Sequence, residues 1–167
     1  MRNKMPNKKL DRLDRSILDC LQADGRLPNQ ELAERVALSP SPCLRRVRAL
    51  ERSGVIRQYV ALLDSAKIGL DMLAYVSVKL EKKGRMPVEQ FTRAVQGWSE
   101  VVACYSMTGD MDYLMRVQVE DLDHYSRFIM DRLLKQPGVI DIRSNFVLER
   151  IKDTTALPLA HLARAQD

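Results

Sequence analysis

The sequence predicts an α+β chain, in which a winged helix-turn-helix at the N-terminus is followed by a ferredoxin-like βαββαβ sandwich. Three observations support this fold class. Apolar residues recur with helical spacing over the first sixty residues, they alternate with polar residues in several later segments, and the excess positive charge is confined to the first part of the chain. The chain has 167 residues, 46% of them hydrophobic, and this suffices for one ordinary domain or two small ones.

Two short helices are predicted first. Residues 11–25 place one apolar stripe on a helix that has an acidic start and a glycine stop, and the stripe consists of Leu13, Ile17, Leu18 and Leu21. Asn29 is a favourable N-cap for the second helix, and Glu31 suits the positive end of its dipole. Apolar residues then follow at Leu32, Ala33 and Val36. The second helix is therefore only about two turns long.

A third helix follows a turn that contains two prolines, at residues 37–43, and either Ser39 or Ser41 is its cap. Its apolar stripe faces the first two helices and consists of Leu44, Val47 and Leu50. Four arginines are thereby turned towards water or a ligand, namely Arg45, Arg46, Arg48 and Arg52. Gly54 ends the helix as a left-handed cap, and residues 55–60 are interpreted as a β segment, as expected for a winged variant.

The charge of the chain is unevenly distributed. Residues 1–60 contain 13 Lys and Arg against 7 Asp and Glu, whereas residues 61–167 contain 14 against 15. Such asymmetry is expected when one part of a chain binds a polyanion, although a solvated basic surface would produce it too. Together with the arginines of the third helix it favours a reader of double-stranded DNA, because guanidinium groups bridge phosphates or bind guanine edges in the major groove. Ser39 and Ser41 are candidate phosphate ligands at the start of that helix. The alternative is an ordinary helical bundle with a solvated arginine face.

The remaining residues alternate between strand and helix. Strands are predicted at residues 72–81, 101–107, 113–119 and 139–151, with a loop at residues 82–85. One helix opens at Pro87, and a second starts at Asp121 with a buried side made of Leu122, Tyr125, Ile129 and Leu133. This order is that of a split βαβ domain with both helices on one face of an antiparallel sheet.

The other face of the sheet is predicted to be too apolar for water. Residues 101–104 are apolar on both sides of their strand. In the last strand, alternation places four apolar residues on the side opposite to Val139 and Val147, namely Ile140, Ile142, Phe146 and Leu148. We therefore expect a second subunit to cover this face, and a two-fold dimer would suit half-sites about one helical turn apart.

Other classes of function are disfavoured. Cys20, Cys43 and Cys104 fit no disulfide or metal spacing, and only His124 and His161 could add imidazole ligands, so no metal, cofactor or catalytic residue is predicted. No nucleophile–base pair or phosphate loop indicates an enzyme. No apolar run is long enough for a membrane span, and the first residues lack the apolar core of a secretion signal, so we expect a cytoplasmic protein.

Several motifs together resemble the Lrp/AsnC family of feast/famine regulators. They are Leu10-Asp-x-x-Asp14, Asn29-x-Glu-Leu-Ala33, Leu38-Ser-Pro-Ser-Pro-Cys43, Arg46-Val-x-x-Leu50-Glu-x-x-Gly54-Val-Ile, Thr108-Gly-Asp-x-Asp-Tyr113 and Pro137-Gly-Val139. The likeness spans about residues 10–152. It implies a winged helix-turn-helix, a linker, and a ligand-binding αβ domain whose dimers assemble further into tetramers or octamers on DNA.

The resemblance also implies an amino-acid effector, bound between dimers near the loop formed by Thr108, Gly109, Asp110 and Asp112. Backbone N–H groups in a glycine turn can hold a carboxylate, and either aspartate can meet an ammonium group. Selectivity would come from neighbouring apolar positions, namely Met107, Leu122 and Phe146, and an apolar pocket favours leucine or methionine. The alternative is a plain hairpin whose aspartates stabilise the turn.

The predicted organisation is a DNA-binding domain at residues 1–60, with the helix-turn-helix at about 29–48, a linker at 61–71, the αβ domain at 72–152 and a tail at 153–167. The expected DNA contacts are Asn29, Ser39, Ser41, Arg45, Arg46, Arg48 and Arg52. An architectural protein that binds DNA without any ligand remains the alternative function. Short extra structure and disorder are both compatible with the tail.

Overall fold

A computed structural model describes residues 10–81 and 86–162. The loop predicted at residues 82–85 lies outside the described residues. Within them the chain forms two compact units, one running up to Leu62 and resuming at Lys152, and the other spanning Leu63–Ile151. Within the segment that the sequence prediction treated as a separate tail, the described residues 153–162 therefore belong to the N-terminal unit.

The N-terminal unit contains three helices: α1 (Arg12–Ala23), α2 (Asn29–Arg35) and α3 (Pro40–Arg52). Helix α1 starts at a reciprocal capping box in which the Asp14 N–H donates to the Asp11 carboxylate over 2.8 Å and the Asp11 N–H donates to the Asp14 carboxylate over 3.3 Å. Helix α2 starts one residue earlier than predicted, because Pro28 rather than Asn29 is its N-cap. Ser39 caps α3 without a side-chain hydrogen bond.

The core of the N-terminal unit contains residues of all three helices. Its buried members are Ile17, Leu18, Leu27, Leu32, Ala33, Val36, Cys43 and Leu50. Helix α3 therefore turns Cys43, Val47 and Leu50 inward, whereas Leu44, which was predicted to face the other helices, stays half-buried outside this cluster. The spacing of four and then three residues keeps the stripe on one side of a 3.6-residue helix.

The chain leaves α3 through a Schellman motif. The Gly54 N–H donates to the Glu51 carbonyl, the Val55 N–H donates to the Leu50 carbonyl, and Gly54 has a φ of +73°. The prediction of a β segment at residues 55–60 is wrong, since those residues, all of them described, form no strand. Ile56 instead packs against the helical core.

The second unit contains a four-stranded antiparallel sheet and two helices. Its elements are β1 (Met72–Leu80), α4 (Met86–Val95), β2 (Val101–Ser106), β3 (Tyr113–Val119), α5 (Leu122–Phe128), which continues as a π-helical turn (Ile129–Leu133), and β4 (Val139–Phe146). The strand order is β2-β3-β1-β4. The predicted α+β class and βαββαβ order are confirmed, and β4 ends five residues earlier than expected.

Both helices pack on one face of this sheet. Alternate residues of β1 and β3 supply the buried layer, and helices α4 and α5 cover it with Phe91, Val95, Tyr125 and Phe128. The prediction that Leu122 lies on the buried side of α5 is wrong, because Leu122 is 55% exposed. The helix begins at Asp121, whose side chain accepts the His124 N–H, and this cap sets the rotation that leaves Leu122 outside.

The faces of β4 also differ from the prediction, which put Ile142 and Phe146 opposite to Val139. A register shift leaves Ile140 unpaired. As a result all three residues pair with core-facing residues of β1: Ile142 with Val78, Phe146 with Ala74, and Val139 with Leu80. Ile140 is 59% exposed. An extra residue in a strand reverses the faces beyond it, so strict alternation gave the wrong side.

The open face of the sheet is mixed rather than uniformly apolar. Tyr75 and Tyr105 are 38% and 57% exposed there, and Leu114 lies directly opposite Tyr105. The neighbouring Arg116 is exposed as well. Within the described ranges, none of the helices combines the length and the apolar composition that crossing a membrane requires.

Candidate functional site

Three arginines form an exposed stripe on α3. At about 100° per residue, Arg45, Arg48 and Arg52 lie within about 60° of one another and roughly opposite to the buried stripe of Cys43 and Leu50. All three are exposed. Because the side chains extend from a helix whose opposite face is fixed in a core, three guanidinium groups are displayed along one line.

The polar residues at the start of α3 differ in their availability. Ser39 and Ser41 are exposed, and helical rotation puts Ser41 on the same side as the arginine stripe. Asn29 has a structural contact instead: its side-chain N–H donates to the Pro40 carbonyl over 3.0 Å. The Asn29 Oδ1 atom is buried and accepts no hydrogen bond from the described residues. Asn29 thus joins the first turns of α2 and α3.

Arg46 departs from the prediction that all four arginines face outward. Its Nη1 atom lies 2.7 Å from Asp11 Oδ2 and 2.7 Å from Asp14 Oδ1, so the guanidinium group bridges the two carboxylates of the α1 capping box. Helical rotation turns Arg46 to the flank of α3 that faces α1, away from the stripe of Arg45, Arg48 and Arg52. Its role in this unit is to hold α3 against α1.

The electrostatics of this cluster favour the charged state of both partners. Hydrogen bonds to Asp14 and then to Asp11 raise the pKa of Arg46, outweighing the cost of its partial burial. Burial alone would raise the pKa of Asp11, but the Asp14 N–H and the Arg46 guanidinium outweigh it, and the pKa of Asp11 is lowered. The pKa shifts of Asp11 and Arg46 therefore both favour their charged forms, and this ion pair ties the two helices together.

In the second unit, a cavity of about 270 Å³ lies beside the loop between β2 and β3. It is lined by Leu80, Glu81, Val88, Ser106, Met107, Asp112 and Tyr113. Its volume is close to the lower end of the roughly 300–1,000 Å³ typical of small-molecule sites. The lining combines apolar side chains with two carboxylates and two hydroxyl groups, which suits a small amphipathic molecule.

The loop itself is held at its base and open at its tip. Asp112 closes the base, because its carbonyl accepts the Met107 N–H over 2.8 Å and its carboxylate accepts the Leu80 N–H over 2.8 Å. Within the part of the chain that the structure describes, the N–H groups of Thr108, Gly109 and Asp110 donate no hydrogen bond. Gly109 has a φ of +110°, and a Cβ atom built there would meet nothing within 4 Å.

Two predicted effector residues lie elsewhere. Phe146 pairs with Ala74 and packs its ring against Tyr125 at a centroid distance of 4.9 Å. Leu80, which lines the cavity, is six residues further along β1 than Ala74, a distance of about 20 Å. Leu122 follows the end of β3 and therefore also lies at the edge of the sheet that is remote from the cavity. Within one subunit the structure therefore does not bring Leu122 or Phe146 to the loop, whereas Met107 and Asp112 do line the cavity.

Sequence reasoning missed five residues that line the cavity, namely Leu80, Glu81, Val88, Ser106 and Tyr113. Ser106 and Glu81 lie at the ends of β2 and β1, and Val88 is in the first turn of α4. Their proximity depends on the pairing of β1, β2 and β3, which brings these ends together. The only signal available in the sequence was the position of each residue at an element boundary.

A second charged cluster lies apart from this cavity. The buried Glu100 carboxylate accepts a hydrogen bond of 2.8 Å from Arg132, one of 3.2 Å from Ser99, and lies 3.5 Å from His124 Nε2. Burial opposes ionisation, but the backbone N–H of Glu100, the Arg132 charge and the His124 and Ser99 hydrogen bonds lower its pKa. Among the described residues, no group of His, Cys, Asp and Glu has an arrangement that could hold a metal ion.

Two family models match the chain. The Lrp/AsnC ligand binding domain matches residues 73–157, and a winged helix-turn-helix DNA-binding model matches residues 10–57. The leucine-responsive regulatory proteins of Escherichia coli strain K12 and Salmonella typhimurium are each 44% identical to the chain over 154 residues, covering 92% of this chain and 94% of theirs.

Solved structures of relatives have the same fold. A transcriptional regulator from Neisseria meningitidis in complex with L-Met is 48% identical, with a TM-score of 0.89, over 92% of this chain and 99% of that one. An AsnC family transcriptional regulator from Agrobacterium tumefaciens is 42% identical, with a TM-score of 0.86, over 90% of this chain and 98% of that one. The chain accordingly belongs to the Lrp/AsnC family of DNA-binding transcriptional regulators, in which a helix-turn-helix is joined to a ligand-binding domain.

Proposed function

We propose that this regulator responds to a free amino acid with an apolar side chain, leucine or methionine, bound at the cavity beside the 107–112 loop. The observation on which the proposal depends is that this cavity borders the loop, whose tip lies outside the lining itself but carries three N–H groups that are unused among the described residues and can hold a carboxylate. Glu81 and Asp112 offer negative charge for an ammonium group, and Met107 and Val88 offer apolar surface. The complex of the Neisseria meningitidis relative with L-Met supports the same ligand class.

For DNA, we propose that Arg45, Arg48 and Arg52 contact the duplex and that Ser41, with Ser39, contributes phosphate contacts at the start of α3. Arg46 and Asn29 support this surface from behind through their contacts with α1 and with Pro40. Phosphate contacts provide affinity that falls with salt, and base contacts provide sequence selectivity. Such a protein acts in the compartment that holds duplex DNA, which we propose to be the cytoplasm.

We also propose a homodimer that covers the open face of the sheet and assembles further into tetramers or octamers. Tyr75, Tyr105 and Leu114 provide the apolar part of that face. Aromatic residues are enriched at protein interfaces, and a two-fold dimer presents two α3 helices to one duplex. Analytical ultracentrifugation measures the assembly directly. A monomer at micromolar concentration would contradict this proposal.

Isothermal titration calorimetry with L-methionine, L-leucine and L-asparagine tests the ligand. We expect heat with the first two and weaker or no heat with the third. Val88→Trp should abolish that heat, since a Val88 side chain at the cavity wall is replaced by one large enough to fill it. Met130→Trp is the matched control, because Met130 is 61% exposed in the same unit and does not line the cavity. Absence of heat with all twenty amino acids would favour the architectural alternative.

A further inference from the structure

The C-terminal segment contacts α1 through one glutamine side chain. The Gln22 side-chain N–H donates to the Leu157 carbonyl over 3.2 Å, and the Leu157 N–H donates to Gln22 Oε1 over 2.6 Å. A single side-chain amide therefore pairs with both backbone groups of one residue, as a neighbouring strand would. This pairing recognises backbone groups rather than a particular side chain, and the Leu157 side chain is indeed 70% exposed.

A second contact lies two residues further on. Leu159 is half-buried and packs against the same apolar cluster as Ile17 and Leu50. Just after it, the Leu162 N–H donates to the Leu159 carbonyl over 3.0 Å, which turns the chain. Polar pairing at Leu157 fixes the register, and that register directs Leu159 into the helical core.

We propose that α1 carries a peptide-docking surface, built around Gln22, whose occupant is the C-terminal segment 154–162 of the same chain. The helix-turn-helix unit is then assembled from two separate parts of the sequence, and the second part stabilises its core. Since α1 also holds α3 through the Asp11–Asp14–Arg46 cluster, docking of the segment supports the helix that presents the arginine stripe.

Hydrogen exchange of the full-length protein tests this docking independently of any DNA measurement. Leu159→Ala and Gln22→Ala should each increase the exchange rates of α1 amides, by about fivefold to thirtyfold if local opening controls exchange. The matched control is Leu157→Ala, which keeps the paired backbone groups and removes only an exposed side chain. Its α1 amides should exchange at the rate of the unmodified protein.

The result that overturns the proposal is equal α1 exchange in all four proteins. Unfolding of the whole variant would be recognised, because it would also speed the exchange of β1 and β3 amides in the other unit. Those amides should keep their exchange rates if only the docking is lost. Duplex affinity, measured by fluorescence anisotropy, is expected to fall for Leu159→Ala but not for Leu157→Ala.

The origin of the segment is tested by mixing chains. Isotope-labelled Leu159→Ala protein is unfolded and refolded together with an excess of unlabelled protein of the original sequence. If each chain supplies its own segment, the labelled α1 amides stay fast. If their protection is restored, a second copy supplies the segment and the same-chain proposal is overturned.

Discussion

Replacement of Arg46 by alanine tests whether this residue supports the DNA-binding surface through its contacts with α1 rather than by contacting DNA. The substitution removes two hydrogen bonds of 2.7 Å and leaves the Asp14 carboxylate, whose side chain is only 10% exposed, without its cationic partner. Hydrogen bonds to charged groups contribute about 1.5–3 kcal/mol each. The Arg46 and Asp11 side chains are 31% and 40% exposed, so solvent screens the pair. We therefore expect a total loss of about 2 kcal/mol in the stability of the helical unit.

Arg45→Ala is the matched comparison, one residue away. Arg45 is exposed, so its removal should change stability by no more than about 0.5 kcal/mol. It should instead weaken duplex binding and reduce the slope of log K against log salt by about one for each phosphate that the variant no longer neutralises. Arg46→Ala should leave that slope unchanged at temperatures where the variant remains folded.

The assay has to follow the correct unit. The only tryptophan, Trp98, packs in the second unit, so its fluorescence does not report on the helices around Arg46. Thermal unfolding followed by helical circular dichroism, together with anisotropy titrations at several salt concentrations, covers both quantities. An Arg46→Ala protein with unchanged stability and a reduced salt slope would refute the structural assignment of Arg46.

Three further predictions test other parts of the structure. Gly138→Ala should destabilise the second unit by about 2–4 kcal/mol in denaturant titrations, because Gly138 has a φ of +83° and a Cβ atom there would lie 2.5 Å from the Pro87 Cβ. Gly69→Ala is the control: Gly69 also has a positive φ but open space around it, so this substitution should cost only about 1 kcal/mol. Equal losses for the two variants would contradict the packing argument. Ala37→Gly should raise the melting temperature of the helical unit, since Ala37 has a φ of 54° and glycine removes up to about 1 kcal/mol of strain; a lower melting temperature would count against this interpretation. Glu100 has a lowered pKa in the folded state, so its contribution to stability is present at neutral pH. This contribution is lost as the pH falls from about 4.3, the ordinary pKa of glutamate, through the folded value. Glu100→Gln should therefore reduce stability at pH 7 more than at pH 3, and a pH-independent loss would be inconsistent with the ion pair.

The sequence predicted most elements because their apolar spacing is local. The bounds of β3 agree with the prediction, β1 is one residue shorter than expected, and Gly54 ends α3 in the predicted left-handed conformation. Each of these features depends on residues within one element or one turn, so periodicity and glycine chemistry are sufficient to locate it.

Features that depend on distant residues could not be predicted in the same way. Arg46 finds its two carboxylates 32 and 35 residues earlier in the chain, and nothing in the spacing of α3 distinguishes it from Arg45. The faces of β4 were assigned wrongly because the unpaired Ile140 shifts the register. A bulge is created by pairing with another strand, which a single strand's pattern does not record.

The candidate ligand site was predicted only in part for a related reason. The glycine loop is local and was located correctly, but Phe146 and Leu122 were added to it because they are apolar, and the antiparallel pairing puts them at the other end of the sheet. Val88 and Ser106 reach the cavity through tertiary packing alone. The sequence therefore indicated the ligand class through a resemblance and one turn, whereas the cavity lining required the fold.

The most direct test is the affinity of the protein for duplex DNA at several salt concentrations, measured with and without the triple substitution of Arg45, Arg48 and Arg52 by alanine. If the exposed face of α3 binds the duplex, the folded triple variant should lose most of its affinity and have a clearly shallower salt dependence. A folded triple variant with the affinity and the salt dependence of the original protein would show that DNA is bound elsewhere.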